Sequence, residues 1–142
     1  MPQGEQTKNI KKGPSGNFEA AFSSDGRKMA IVLEQDQGAD IFVSIWDGRV
    51  WSSPEPLIGV NSEFNERGPS FSLSGDKLFF SSDRDGGRGG YDIYVTSFDG
   101  EKWGSVLPLG PTVNTSANET GPAPSMDESG LYFSSNLSLI HI

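Results

Sequence analysis

The densest chemistry in this sequence lies between Asp83 and Asp92, in the stretch DRDGGRGGYD. Carboxylates, guanidiniums and a phenol crowd together there with four glycines. Three kinds of chemistry could use such a loop. A calcium loop needs several oxygen ligands at set spacing. Asp83 and Asp85 make a D-x-D start, but Gly86-Gly87-Arg88 follow, with no third carboxylate or terminal Glu in register. The tandem calcium pattern G-G-x-G-x-D fails by one residue, because Tyr91 stands where the Asp belongs. A phosphate cradle needs a glycine-rich loop that opens a helix, whereas this loop runs into the strand-like Asp92-Ile93-Tyr94-Val95. What remains is a long surface turn on a rigid scaffold, a common place for partner contacts. The candidate contact residues are Arg84, Asp85, Arg88 and Tyr91, with both arginines expected to be exposed. No metal, cofactor or catalytic residue is assigned. Ser81 and Ser82 have no histidine nearby, and the single His141 lies in the tail, so a serine triad has no support.

The elements that position this loop recur along the chain. Glu66 to Asp83 (ERGPSFSLSGDKLFFSSD) aligns without gaps on Glu119 to Asn136 (ETGPAPSMDESGLYFSSN). The stretch from Phe22 (FSSDGRKMAIVLE) lies on the one from Phe71 (FSLSGDKLFFSSD), and Ala39 to Leu57 lies on Tyr91 to Leu109. Both units then reach an Asn and a Glu, in NSEFNE from Asn61 and NTSANE from Asn114. The repeat is therefore on the order of 50 residues, a period typical of stacked repeat units. Each unit holds short apolar runs bounded by Gly, Asp, Asn or Pro, which read as four strands joined by tight turns. Asp47-Gly48 and Asp99-Gly100 sit where a hairpin turn is needed. No window sustains a helical apolar period, so almost no helix is expected. Four-stranded units of this length are propeller blades. Runs such as Leu78-Phe79-Phe80 fit central strands covered on both faces. Within the repeat, Asp40 and Asp92 are expected to bind backbone and fix loop to strand. Trp51 and Trp103 are expected to pack on blade edges.

Composition narrows the function classes. The 142 residues carry a net charge of −8, no cysteine, 18 Gly and 9 Pro. The charge argues against nucleic acid as a partner, and the short basic run Lys8 to Lys12 reads as a solvated end. Without cysteine there is no disulfide and no thiolate metal site. No stretch reaches the ~20 apolar residues of a transmembrane helix, and no signal-peptide core is visible near Met1.

The pattern PSFS-x-x-G-x-x-LFFSSD, then GGYDIYV, then DG-x-x-W resembles the WD40-like β-propeller repeats of the TolB type. It is most similar to the long-blade version in cell-envelope proteins of gram-negative bacteria, often found ahead of an OmpA-like peptidoglycan-binding domain. The similarity runs from about Phe18 to Asn136. Three places depart from it: VLEQDQGAD in the first unit, Glu128 at a turn where Gly is usual, and LSLIHI after Asn136. The resemblance implies an all-β fold, a partial propeller of about two full blades and part of a third in an open ring. Residues 1–18 would be an N-terminal segment, 19–66 a blade, 67–119 a blade, 120–136 the start of another, and 137–142 an anomalous tail. Such a chain is expected to be a fragment of a longer propeller, with open edges that associate with the remaining blades or with other chains. It further implies a non-enzymatic module that binds a protein or glycan in the periplasm or at the outer membrane. The alternative is the propeller portion of a glycoside hydrolase or serine peptidase, but the sialidase marker S-x-D-x-G-x-x-W is absent from SSDGRKMA.

Overall fold

A computed structural model describes residues 19–137. The basic run at Lys8 to Lys12 and His141 lie outside the described residues. Among those described there is no helix. Ten strands form three antiparallel sheets. The first sheet holds β1 (Ala20–Phe22), β2 (Lys28–Gln35), β3 (Gly38–Ile45) and β4 (Glu55–Pro56), in chain order. The second repeats this with β5 (Glu66–Phe71), β6 (Lys77–Ser82), β7 (Asp92–Ser97) and β8 (Leu107–Pro108). The third has β9 (Glu119–Pro124) and β10 (Leu131–Ser135) only. This is a partial propeller: two four-stranded blades and the first two strands of a third, with the ring left open.

The repeat residues explain why each blade folds alike. Asp47 accepts hydrogen bonds from the N–H groups of Arg49 (2.7 Å) and Val50 (2.9 Å). Asp99 does the same for Glu101 (2.8 Å) and Lys102 (3.0 Å), so both β3–β4 and β7–β8 turns are closed by one carboxylate. Asn61 clamps Ile41 on β3 through both peptide groups, at 2.8 and 2.9 Å. Asn114 clamps Ile93 on β7 in the same way, at 2.7 and 3.0 Å. The amide thus stands in for a missing neighbour strand where β4 and β8 are only two residues long.

The innermost strands carry a matched irregularity. Pairing of β5 with β6 slips between Arg67 and Ser70, and that of β9 with β10 slips between Tyr132 and Ser134. Gly68 and Gly121 hold φ of 58° and 62° there, and Pro69 and Pro122 follow them without an N–H to offer. Glu128 also has positive φ, 60°. It occupies the turn position that Gly26 and Gly75 fill in the other blades, at φ 71° and 76°. Its carboxylate reaches the N–H of Ser74 at 3.4 Å, a contact between neighbouring turns.

The core lies between the first two blades. Ala30, Val32, Ala39, Ile41 and Val43 meet Phe71, Leu78, Phe80 and Tyr94. Phe80 and Tyr94 pair directly across β6 and β7, with ring centroids 6.0 Å apart. Trp51 packs on Trp46 and Phe22 in blade one, and Trp103 packs on Phe98 and Phe71 in blade two. The tryptophans are therefore packing residues, as their recurrence implied.

Candidate functional site: the loop face of the second blade

The β2–β3 and β6–β7 connections lie on one end of the blades, together with the links from β4 to β5 and from β8 to β9. Four links build this end upward from the strands. Glu66 opens β5 and is fully buried, at 0% exposure. A buried carboxylate must be paired or fully hydrogen-bonded. It accepts bonds from the N–H (3.1 Å) and hydroxyl of Ser62, and from Ser82 Oγ at 2.9 Å. Arg84 completes the set with an ion pair at 3.1 Å. Glu119 opens β9, is equally buried, and repeats the pattern with Thr115 (2.7 Å to both N–H and Oγ1) and Ser135 Oγ (2.7 Å). Burial opposes the Glu119 charge, yet these donors hold its carboxyl below the usual value.

Arg84 was expected to be exposed, and it is not: its side chain is 17% exposed and turned into the seam between blades. It donates to the Val60 carbonyl at 2.7 Å and to Ser82 Oγ at 3.1 Å. Its guanidinium also lies over the rings of Phe80 and Tyr94, 5.4 and 5.0 Å from their centroids. The buried Glu66 draws it inward.

The other predicted residues do not gather around Arg84. Asp85 and Arg88 are exposed on the loop, and neither side chain makes a hydrogen bond or ion pair among the described residues. Tyr91 is half-buried. Its N–H donates to Asn118 Oδ1 at 2.8 Å, and its carbonyl accepts from the Glu119 N–H at 2.8 Å, which ties the loop to the third blade. Burial, aided by the Asp83 carboxylate, pushes the Tyr91 phenol above its ordinary value, and Arg67 pulls against this.

Arg67 is a residue that the sequence pattern did not single out. It leaves the innermost strand of blade two and grips blade one, with Nη1 2.9 Å from Glu19 and Nη2 2.6 Å from Glu34. Burial works against its charge, but the two carboxylates outweigh it and raise its already high pKa.

The two aspartates that precede the Ile-aromatic-Val run of β3 and β7 behave differently. Asp92 is 1% exposed. Its Oδ2 accepts the N–H groups of Arg88 (2.6 Å) and Gly89 (3.3 Å), as expected for a residue that fixes the loop. Asp40 does not do this. The turn above it is closed by the Gln35–Gly38 pair and brings no N–H over the carboxyl. Asp40 faces Glu66 instead, and burial together with that neighbour pushes it up to about 6.

Comparison with known proteins bears on the fold. No protein-family model matches the chain, and no curated protein sequence matches it significantly. Among solved structures, it is similar to one assigned as TolB from Agrobacterium tumefaciens, with a TM-score of 0.68 and 24% identity. The match covers 95% of this chain and 42% of that one. TolB from Acinetobacter baumannii follows with a TM-score of 0.60 and 19% identity over 82% of this chain and 26% of that one. The fold is that of a TolB-type β-propeller. The chain spans less than half the length of either solved relative.

Proposed function

We propose that this chain is a binding module of the bacterial cell envelope, part of a propeller that presents the loop face of its second blade to a partner. One observation carries the reading. The 83–91 loop exists in only one of the two complete blades, and its Asp85 and Arg88 side chains have no work to do within the described residues. Unused charges held on a rigid scaffold are what a recognition surface requires. The TolB-type fold supports a periplasmic or outer-membrane setting, and the net charge of −8 favours a protein or glycan surface over an anionic one. Within this reading the module is not an enzyme, and the remaining blades of a longer propeller would complete its ring.

The test is binding to an envelope fraction of a gram-negative bacterium and to purified peptidoglycan. An Asp85→Ala/Arg88→Ala double variant should lose most binding while its unfolding midpoint stays unchanged. Undiminished binding would overturn the assignment of this face. Hydrolysis of a glycoside or peptide substrate by the chain would overturn the binding-module reading in favour of an enzyme portion.

A further inference from the structure

The sequence holds four Asp-Gly pairs: Asp25-Gly26, Asp47-Gly48, Asp85-Gly86 and Asp99-Gly100. Such a pair is prone to react with itself, because glycine has no Cβ to crowd the attack of its amide nitrogen on the preceding carboxyl. Glycine geometry does not separate the four. All four glycines hold positive φ, from 71° at Gly26 to 103° at Gly100, and a Cβ at any of them would meet nothing within 4 Å. All four aspartates are exposed. The difference lies in what holds each carboxyl.

Three of the carboxyls are engaged. Asp25 Oδ1 accepts the Ser23 hydroxyl at 2.7 Å and the Arg27 N–H at 3.0 Å. Asp47 and Asp99 each accept two N–H groups of their own turns. The main donors are Ser23 for Asp25, Val50 for Asp47 and Lys102 for Asp99. They hold all three carboxyls below the usual aspartate value, in the poorly electrophilic carboxylate form. Main-chain bonds close the same turns. The Gly26 N–H donates to the Ser23 carbonyl at 2.9 Å, the Asp47 N–H to Val50 at 3.2 Å and the Asp99 N–H to Lys102 at 3.1 Å. Asp85 has neither restraint. Among the described residues its carboxyl accepts no hydrogen bond, and the N–H groups of Asp85, Gly86 and Gly87 donate none. The flanking anchors are the Arg84 N–H on Ser82 Oγ at 3.1 Å and the Arg88 N–H on Asp92 Oδ2 at 2.6 Å. No such bond restrains the residues between them.

We infer that Asp85-Gly86 is a site of spontaneous covalent modification, at which Asp85 isomerises to isoaspartate while the other three Asp-Gly pairs of the folded chain react far more slowly. The Gly86 amide nitrogen attacks the side-chain carbonyl carbon of Asp85. A carbon–nitrogen bond forms, and the carboxyl hydroxyl leaves with the amide proton as water. The product is a cyclic succinimide, which water then opens. Addition at the side-chain carbonyl restores aspartate, and addition at the main-chain carbonyl gives isoaspartate. The water released is the water taken up, so no other reactant is consumed. Isoaspartate routes the main chain through the former side chain and leaves the carboxylate directly on Cα. The charge is kept but its position moves. The reaction itself does not depend on the loop face being a binding surface. On that reading it displaces one of the two unpaired charges of the face, and binding declines as the protein ages.

The test is peptide mapping of the full chain after incubation at neutral pH and physiological temperature, with circular dichroism to follow the fold. Chymotrypsin should release residues 81–91 by cutting after Phe80 and Tyr91, and electron-transfer fragmentation then distinguishes isoaspartate from aspartate. Isoaspartate should accumulate at Asp85 about tenfold or more faster than at Asp25, Asp47 or Asp99, the factor for freeing one hydrogen bond to a charged group. In guanidinium chloride the four sites should react at similar rates. Asp85→Glu keeps the charge but would have to close a larger ring, so position 85 should stay unmodified. Equal rates at the four sites of the folded chain would overturn the inference. So would faster reaction at any of the other three, or an unmodified Asp85 where the denatured chain reacts. Envelope binding should fall in step with isoaspartate at Asp85. Isomerisation with binding intact would remove Asp85 from the binding face and leave the modification site standing.

Discussion

The tops of the two complete blades start from the same strands and end in different chemistry. In blade one the β2–β3 turn is as short as a hairpin allows, closed at Gln35–Gly38. In blade two the 83–91 segment intervenes between β6 and β7. With the short turn, Asp40 is left beside Glu66, and the two carboxyls share a seam. With the long loop, Asp92 is occupied by loop N–H groups and Arg84 arrives to neutralise Glu66. The insertion therefore both repairs the seam, through Arg84, and creates new surface, through Asp85 and Arg88. A scaffold residue and a recognition residue can lie side by side in one loop.

The largest test of this division removes scaffold. Phe80 is fully buried between the blades, and Phe80→Ala should cost ~3–5 kcal/mol. Arg88→Ala, on the exposed tip, should change stability by less than about 0.5 kcal/mol. Urea unfolding monitored by tryptophan fluorescence would measure both. Similar small effects would mean that the blade interface is not where the core lies.

The next test compares the two buried glutamates. Both have Ser or Thr donors, but among the described residues only Glu66 also neutralises a cation. Glu66→Ala strands Arg84 in the seam and should cost ~3–5 kcal/mol, as when a buried pair is broken. Glu119→Ala leaves only hydroxyl and N–H donors unmet, at ~1–3 kcal/mol. Equal losses in urea unfolding would show that Arg84 contributes nothing specific to blade two.

How much of this was legible in advance follows from contact range. The fold was readable because its devices are local and repeat in register: Asp47 with Asp99, Asn61 with Asn114, Gly68-Pro69 with Gly121-Pro122. Each acts on a turn or strand of its own unit, so its spacing survives in the sequence. The site was only partly readable. Asp85 and Arg88 were marked by occurring once, and they are the exposed ones. Arg84 occurs once too, but its partner carbonyl is 24 residues away at Val60, and no local pattern reveals that it turns inward. Arg67 reaches Glu19 across 48 residues. The one signal for the buried glutamates was the shared Ser/Thr-x-x-x-Glu at Ser62–Glu66 and Thr115–Glu119.

A smaller effect probes the glycines of the loop against each other. Gly87→Ala forces a Cβ into Asp92 Oδ2 and should cost ~1–3 kcal/mol, the range for overpacking. Gly86→Ala meets no atom but must hold φ at 87°, at about 1–2 kcal/mol. The two should differ most in the amide shift of Arg88, whose N–H is bonded to Asp92. Gly87→Ala should move that resonance strongly and Gly86→Ala only slightly. The reverse would place the loop's fixed point away from Asp92.

The smallest effect belongs to blade one and depends on pH. Asp40 has a folded pKa raised to about 6, chiefly by burial and then by Glu66, against about 3.9 in an unfolded chain. Between these values the folded protein holds more protons than the unfolded one, so stability falls as pH rises. The contribution is fully present below about pH 4 and is lost once pH passes about 6. Asp40 is only half-buried, so solvent screening keeps the effect modest. Asp40→Asn removes the titration while keeping a donor toward Glu66. The variant should match the parent near pH 4 and be the more stable of the two near pH 7. Asp92 offers the control, because its carboxylate is held by loop N–H groups rather than by a second carboxyl. Asp92→Asn should therefore be destabilising near pH 7, opposite in sign to Asp40→Asn. Unfolding midpoints measured at pH 4, 5, 6 and 7 would decide it. A flat difference between parent and Asp40→Asn would show that the short turn does not leave its aspartate sharing the seam with Glu66.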